Sequence, residues 1–174
     1  RRGTKVRFKP DGQIFETLEF SFDVLAQRLR ELAFLNKGLS IALKDERKEP
    51  AKEQTFLYKG GIVSFVEHLN DAKTPLHKPI YVKVEKPDMI LEVALQYNDS
   101  YAENLFSFAN NINTKEGGTH LVGFKAALTR TINAYAVANG IIKKDADALE
   151  GEDVREGLTA VVSVKVPEPQ FEGQ

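Results

Sequence analysis

The sequence predicts an α+β fold, with one mostly antiparallel sheet and helices packed on one face of it. Runs of alternating apolar and polar residues indicate several strands that follow one another along the chain. Only two stretches carry the apolar spacing of a long helix, so helices do not follow every strand and a doubly wound parallel sheet is disfavoured. A hydrophobic share of 42% and a charged share of 28% fit a globular domain with a real core.

The first half of the chain predicts one long helix among short strands. Residues 4–9 alternate as a strand and stop at a Pro-Asp-Gly turn. A helix from Ser21 to Asn36 has apolar residues at helical spacing, a serine suited to the N-cap and a glycine just beyond its end. Strands at about 39–43 and 55–58 and a short helix at 62–69 should follow.

The second half predicts more strands and the longest helix. Residues 80–84 and 90–97 alternate around a short turn and indicate an antiparallel hairpin, and residues 104–111 indicate another strand. The long helix should span about 119–139, with its apolar face formed by Leu121, Phe124, Leu128, Ile132 and Tyr135. The charged stretch 143–153 predicts a mobile loop, then a helical turn near 153–156 and a valine-rich strand at 158–166.

The residue chemistry predicts no complete active site and no metal site. Without cysteine the chain has no disulfide, no zinc-thiolate site and no cysteine nucleophile. The three histidines, His68, His77 and His120, are too far apart in sequence to indicate a metal site. Gly117 and Gly118 precede a helix N-terminus, which suits an anion, but the phosphate-loop motif is absent. A turn permitted by the glycines, followed by a cap from Thr119, explains them better.

Charge and hydropathy limit the expected binding partners and the expected location of the protein. The formal net charge of -1 means that any nucleic-acid contact must come from a local patch. No apolar run approaches the roughly 20 residues that span a bilayer, so no membrane is expected. The sequence lacks a start methionine and a leader, which indicates an excised piece and not a secreted precursor. The absence of cysteine fits a reducing compartment, and a cytoplasmic location is expected.

One basic residue on the long helix is a candidate for DNA contact. Lys125, Thr129 and Asn133 lie four residues apart and share a polar face, whereas Arg130 points elsewhere. A single lysine on such a face is usually only solvated. Lys125 is therefore a DNA contact only if DNA lies opposite this face of the helix.

Five segments, spread in order over essentially the whole chain, resemble those of one known family. They are GTKVRFKPD at 3–11, RLRELAFLNKGL at 28–39, GGTHL with GFKAA at 117–127, REGLTAVVSVKVP at 155–167 and PQFEGQ at 169–174. The family is that of the B subunits of the bacterial type II DNA topoisomerases, gyrase and topoisomerase IV. The first segment resembles the closing strand of their ATP-binding domain. The next three resemble the first helix, the long helix and the last strand of their transducer domain, and the last segment leads into their Gln-Thr-Lys loop.

The resemblance implies domain boundaries and a finer fold. Residues 1–11 would be the last strand of a GHKL-type ATP-binding domain, and residues 12–174 would be the transducer domain. In the family the transducer resembles the second domain of ribosomal protein S5, a mostly antiparallel four-stranded sheet with helices on one face and a left-handed βαβ crossover. That handedness departs from the usual right-handed rule, so the residue pattern alone could not predict it.

The resemblance also implies a function. In the family, ATP binding dimerises two B subunits around a captured DNA segment, and the transducer carries the nucleotide state to the DNA-cleaving part. Expected partners are therefore double-stranded DNA, a second B subunit and a gyrase A-type subunit in an A2B2 heterotetramer. Expected cofactors of the intact subunit are ATP and Mg²⁺. The chain would be part of an ATP-dependent isomerase, and no catalytic residue lies in it.

Several functions stay open at this point. The resemblance favours gyrase, which introduces negative supercoils, over topoisomerase IV, which relaxes and decatenates DNA. A free-standing S5-like nucleic-acid-binding module is a further alternative, and a self-contained enzyme is the least favoured.

Three site residues follow from the resemblance. Thr4 matches a threonine near the adenine pocket, and Gln174 matches the glutamine of the Gln-Thr-Lys loop, so both are expected to bind ATP. Lys125 matches a basic position on the helix that lines the cavity for the transported DNA, where relatives carry arginine. Lysine keeps the charge but loses the bidentate geometry, a change that contact with the phosphate backbone tolerates better than base reading would.

Overall fold

The protein is described here by a computed structural model, which covers residues 2–143 and 148–171. Its elements, in chain order, are α1 (Phe22–Leu35), β1 (Ser40–Asp45), β2 (Lys52–Leu57), α2 (Ile62–Leu69), β3 (Ile80–Lys86), β4 (Met89–Tyr97), β5 (Asn104–Ala109), β6 (Ile112–Asn113), α3 (Thr119–Ala138), α4 (Gly151–Arg155) and β7 (Leu158–Lys165). The predicted helices and the predicted hairpin at 80–97 are confirmed within a few residues. No helix in the described ranges is long and apolar enough to cross a membrane.

The strands form two sheets, not one. A five-stranded sheet has the order β3-β4-β7-β5-β6, and β1 and β2 form a separate antiparallel hairpin. Only β5 and β7 run parallel; the other neighbours are antiparallel, which confirms the mostly antiparallel character. The prediction of one four-stranded sheet was wrong. The extra strand, β6, arises because Asn110 and Asn111 adopt positive φ values of 47° and 67° and reverse the chain into a two-residue hairpin turn.

Helices cover both faces of the five-stranded sheet. Because successive side chains of a strand alternate between faces, Ala94 and its partner Val161 face opposite to Val93 and its partner Val162. The first pair packs in one core cluster with α1 and α2 (the α1–α2 face). The second pair packs with Phe124 of α3 (the α3 face). The predicted placement of helices on one face was therefore wrong.

The strand β7 explains why both faces need a cover. Its residues Leu158 to Val164 are all buried, because β7 lies in the middle of the sheet with a helix layer on each side. Such central strands read as continuous apolar runs. The run of valines was visible in the sequence, but it does not say which helix covers which face.

The two ends of α1 show why the sequence predicted it well. The Ser21 hydroxyl accepts a hydrogen bond from the Val24 amide at 3.4 Å, as an N-cap should. Beyond the C-terminus, Gly38 has a φ of +80°, a conformation that glycine adopts without strain. Both signals are local in sequence.

The N-terminal residues do not form the predicted strand. Residues 2–10 have no regular structure, and Val6 and Phe8 are exposed. Phe8 makes an edge contact with Phe20, and Arg7 pairs with Glu46 at 3.1 Å. A strand needs a hydrogen-bonded neighbour, and no described strand pairs with this segment. The alternating pattern of residues 4–9 was therefore not enough to form a strand.

The helix α3 and the loop that follows it differ in part from the sequence predictions. Tyr135 was expected on the apolar face of α3 but is 64% exposed, and the one buried residue of α3 is Ala136. Of the loop predicted at 143–153, residues 144–147 lie outside the described residues, and α4 (Gly151–Arg155) begins earlier than the predicted turn.

Candidate functional site

Lys125 lies on α3 in an ion pair and not simply in solvent. Its ammonium Nζ is 2.7 Å from Oε1 of Glu103, in the loop before β5. The two side chains are 34% and 31% exposed, so water still reaches both. A pair this accessible stabilises a fold by only about 0–1 kcal/mol.

The same carboxylate holds a second cation. Arg155, the last residue of α4, donates from Nε to Oε2 of Glu103 at 2.8 Å, and its side chain is 14% exposed. Burial would raise the pKa of Glu103, but hydrogen bonds from Lys125 and Arg155 outweigh that effect and hold the pKa below its usual value. Glu103 is therefore an ionised group shared by two cations.

The sequence did not predict that Glu103 and Arg155 belong to this site. They are 52 residues apart in the chain and meet only because the fold brings α4 to the loop before β5. No periodic or motif signal links them. The three charged groups, Glu103, Lys125 and Arg155, are called the charged cluster below.

The rest of the polar face of α3 is occupied by the chain itself. Asn133 donates from Nδ2 to the carbonyl of Leu149 and accepts from the amide of Leu149, both at 2.9 Å. The Thr129 hydroxyl donates to the carbonyl of Lys125 at 3.1 Å. Toward its C-terminus this face therefore packs against the segment before α4. Of the three residues predicted to share it, only Lys125 carries a group suited to an anion.

The glycines before α3 end a turn, because the Gly117 amide donates to the carbonyl of Thr114 at 2.9 Å. The predicted threonine cap was wrong: the N-cap of α3 is Gly118, no side chain caps it, and Thr119 is already helical. Behind the glycines His120 Nε2 lies 3.2 Å from the hydroxyl of Thr114, which lies 2.6 Å from the hydroxyl of Ser107. Burial lowers the pKa of His120, which favours a neutral ring. Its neighbours are hydroxyl groups, so His120 serves as a structural hydrogen-bonding group.

The other histidines also make local contacts. His68 Nδ1 lies 2.9 Å from a carboxylate oxygen of Asp71, and His77 Nε2 accepts from the amide of Tyr97 at 2.9 Å. Within the described ranges, no three residues of the metal-binding types come together.

The two predicted ATP-binding residues are not placed in a site. Thr4 is exposed in the irregular N-terminal segment, and none of the contacts among the described residues joins it to Lys125. Gln174 lies outside the described residues. Thr4 and Lys125, the two predicted site residues that the structure describes, are thus not brought together.

Two hydrogen bonds from the side chain of Asn110 hold the backbone just after β7, where the chain continues toward Gln174. This pair of bonds is called the clamp below. The Asn110 amide donates from Nδ2 to the carbonyl of Val166, and its Oδ1 accepts from the amide of Val166, both at 2.9 Å. The same turn is tied to α1, because Arg28 donates to the carbonyl of Asn111 at 2.9 Å. The exit of β7 is therefore fixed to the helix layer on the α1–α2 face.

Comparison with known proteins identifies the family. The family model for DNA gyrase B matches residues 61–174, which is well over half of the chain. The chain belongs to the DNA gyrase B family. Among gyrase B subunits, that of Halalkalibacterium halodurans is 59% identical over 100% of this chain, and that of Clostridium acetobutylicum is 60% identical over 99%. The chain spans only 28% and 27% of the length of these relatives.

Solved structures of gyrase B and of topoisomerase IV share the fold. The 43K ATPase domain of Thermus thermophilus gyrase B, solved with an aminocoumarin, aligns with a TM-score of 0.82 at 41% identity, covering 95% of this chain and 45% of that one. The topoisomerase IV ATP-binding domain of Francisella tularensis aligns with a TM-score of 0.75 at 26% identity, over 95% of this chain and 44% of that one. The mixed α+β fold predicted from the sequence is thereby confirmed.

Proposed function

We propose that this chain is the transducer domain of a DNA gyrase B subunit, which couples ATP binding and hydrolysis to DNA strand passage and negative supercoiling. One arrangement carries the proposal. The chain between the neighbouring parallel strands β5 and β7 includes β6, α3 and α4, and α3 carries the partly exposed Lys125. The exit of β7 leads toward Gln174. A single packed body therefore connects a cation suited to DNA with the segment expected to reach ATP.

The finer fold is part of the proposal. The unit β5–α3–β7 has the parallel neighbouring strands that a βαβ crossover needs, and the family resemblance makes it left-handed, as in ribosomal protein S5 domain 2. Residues 1–11 would belong to the preceding ATP-binding domain. Their lack of a pairing strand here fits that assignment, because the sheet they would join lies in another part of the subunit.

For the nucleotide side, we assign Thr4 and Gln174 to the ATP site of the intact subunit. ATP closure would then pull on the segment beyond β7, and the clamp from Asn110 to Val166 would pass that motion to the sheet. The result would be a hinge-type rotation relative to the ATP-binding domain. Among the described residues no three histidine, aspartate or glutamate side chains come together, and Mg²⁺ would be held with ATP in the intact subunit.

On the DNA side, we assign Lys125 to the phosphate backbone of the transported segment. A lysine ammonium acts on phosphate as a point charge, so it contributes affinity without sequence preference. The partners of the intact protein would be double-stranded DNA, a second B subunit and an A-type subunit in an A2B2 heterotetramer, in the cytoplasm.

A plasmid topology assay tests which enzyme the chain serves. The full-length B subunit is combined with its A-type partner, ATP and relaxed plasmid. Introduction of negative supercoils is the expected result. Relaxation and decatenation without supercoiling would instead assign the chain to topoisomerase IV, whose ATP-binding domain shares the fold at a TM-score of 0.75.

A second experiment tests the proposed hinge-type rotation. In the full-length subunit, Gln174→Ala should reduce nucleotide-driven closure, measured as a distance change between labels on the ATP-binding domain and on α2. Undiminished closure would contradict the assignment of Gln174. Glu67→Gln, on the exposed side of α2, serves as the control.

A further inference from the structure

The charged cluster is asymmetric in a way that bears on Lys125. Both carboxylate oxygens of Glu103 are used: one by Lys125 at 2.7 Å and the other by Arg155 at 2.8 Å. Arg155 is largely buried, at 14% exposure, while Lys125 is 34% exposed. One cation is thus fixed in the protein, and the other stands at its surface.

This asymmetry makes Lys125 the exchangeable partner. Solvent screens its attraction to Glu103, and holding a long flexible side chain in one geometry costs entropy, so such a pair is weak. The pair between Arg155 and Glu103 is better shielded from water. If Lys125 left, Glu103 would still be balanced by Arg155, and α4 would stay attached to the loop before β5.

A DNA phosphate competes with Glu103 for the same ammonium. Phosphate contact with lysine releases condensed counterions from DNA, which favours binding at low salt. Against this, the carboxylate of Glu103 attracts Lys125 and so competes with the phosphate for its ammonium group. The two anions therefore oppose each other at one cation.

From this geometry we propose that Glu103 is a positioning residue that restrains Lys125 and sets the DNA concentration at which Lys125 is released to a phosphate. The inference rests on the proposed function, because it assumes that Lys125 contacts DNA. It assigns a role to Glu103, a residue to which the family resemblance gave none. In the DNA-free state Lys125 lies on Glu103; in the DNA-bound state Lys125 lies on a phosphate and Glu103 keeps Arg155.

The first test measures DNA-stimulated ATP hydrolysis by the full-length B subunit with its A-type partner at low salt, as a function of the concentration of linear DNA. Glu103→Gln should lower the half-saturating DNA concentration by about threefold, the size expected when one weak surface ion pair is lost. The rate without DNA and the rate at saturating DNA should stay unchanged. Glu67→Gln, an equal change of charge on exposed α2, should leave the DNA dependence unaltered.

A double-mutant cycle identifies the route of the effect. In a Lys125→Gln background, Glu103→Gln should have no further effect on the half-saturating DNA concentration, because the restrained cation is already absent. An equal decrease in both backgrounds, or an unchanged or higher value in the wild-type background, would overturn the inference. If Glu103→Gln does not fold, Glu103→Asp replaces it; it keeps the charge, shortens the reach to Lys125 and should shift the value in the same direction by less. No shift in a folded Glu103→Asp would likewise overturn the inference.

The same cycle separates this inference from the function on which it rests. If Lys125→Gln alone leaves the DNA dependence unchanged, the proposed DNA contact of Lys125 fails. If Lys125→Gln weakens the DNA response while Glu103→Gln does not strengthen it, only the restraining role of Glu103 fails.

Discussion

The two faces of the five-stranded sheet differ in how completely they are covered. On the α1–α2 face the rings of Phe34 and Phe65 stack at 4.7 Å, and with Phe108 they are all buried. On the α3 face, by contrast, Phe124 and Leu128 of α3 pack against the sheet but are only partly buried, and Ala136 is the one buried residue of that helix. The helix residues on the α1–α2 face are therefore the more deeply buried, and α3 leaves accessible surface where Lys125 lies.

If the α1–α2 face supplies stability and the α3 face supplies function, truncating a side chain on the α1–α2 face should cause the largest loss in the free energy of unfolding. Phe34→Ala removes a ring that stacks on Tyr58 and Phe65, and it should lower the free energy of unfolding by about 3–5 kcal/mol. Chemical denaturation of the purified chain measures this. Val122→Ala, on an exposed position of α3, is the control and should change stability by less than about 0.5 kcal/mol. Similar losses for the two variants would remove the contrast between the faces.

Disrupting a buried polar network on the α1–α2 face should cause the second-largest loss of stability. The Thr159 hydroxyl is fully buried, donates to Asn70 Oδ1 at 2.8 Å and accepts from Asn98 Nδ2 at 3.2 Å. Thr159→Val keeps the shape but leaves two buried amides short of partners, so it should cost about 1–3 kcal/mol. Denaturation would reveal it, with Thr131→Val on the exposed side of α3 as the control. A neutral Thr159→Val would show that the network is not needed for stability.

The charged cluster on the α3 face should have a smaller, pH-dependent effect. The pKa of Glu103 is lowered in the folded state, so its contribution is present above the usual value of 4.5 and is lost as pH falls through the lower folded-state pKa. The stability difference between the wild type and Glu103→Gln should thus be constant at neutral pH and shrink on acidification. Urea unfolding from neutral to acidic pH measures it. A difference that grows on acidification would contradict the direction of the shift.

The sequence predicted the parts of the fold that depend on local signals. The cap at Ser21, the glycine after α1 and the alternation around the β3–β4 turn each lie within a few residues of the element they define. Non-local features escaped it. The alternation of residues 4–9 resembled a strand, but pairing requires a neighbour that the described chain does not provide. The valines of β7 indicated burial without showing that helices cover both sides.

The candidate site shows the same limit more sharply. Helical spacing placed Lys125 on a polar face, and the family resemblance supplied its role. Nothing in the sequence indicated that Glu103 and Arg155 would meet it, because their contact joins residues 52 positions apart. Ion pairs between distant segments follow from the packed fold, and a one-dimensional pattern does not contain them.

The smallest effect on stability and the largest on function should come from Lys125 itself. Lys125→Glu changes a partly exposed side chain, so we expect a loss of no more than about 1 kcal/mol in the free energy of unfolding. Its new charge repels Glu103 as well as DNA, so Lys125→Gln is the milder companion variant. Thermal unfolding of both variants checks that they are folded before any functional comparison.

The most direct test of the transducer role is ATP-driven supercoiling of relaxed plasmid by the full-length B subunit carrying Lys125→Glu, together with its A-type partner at low salt. ATP binding is measured in parallel. The account predicts that supercoiling falls at least several-fold while ATP binding is unchanged, because repulsion of one phosphate weakens capture of the transported segment. Supercoiling equal to that of the wild type at every salt concentration would contradict the account.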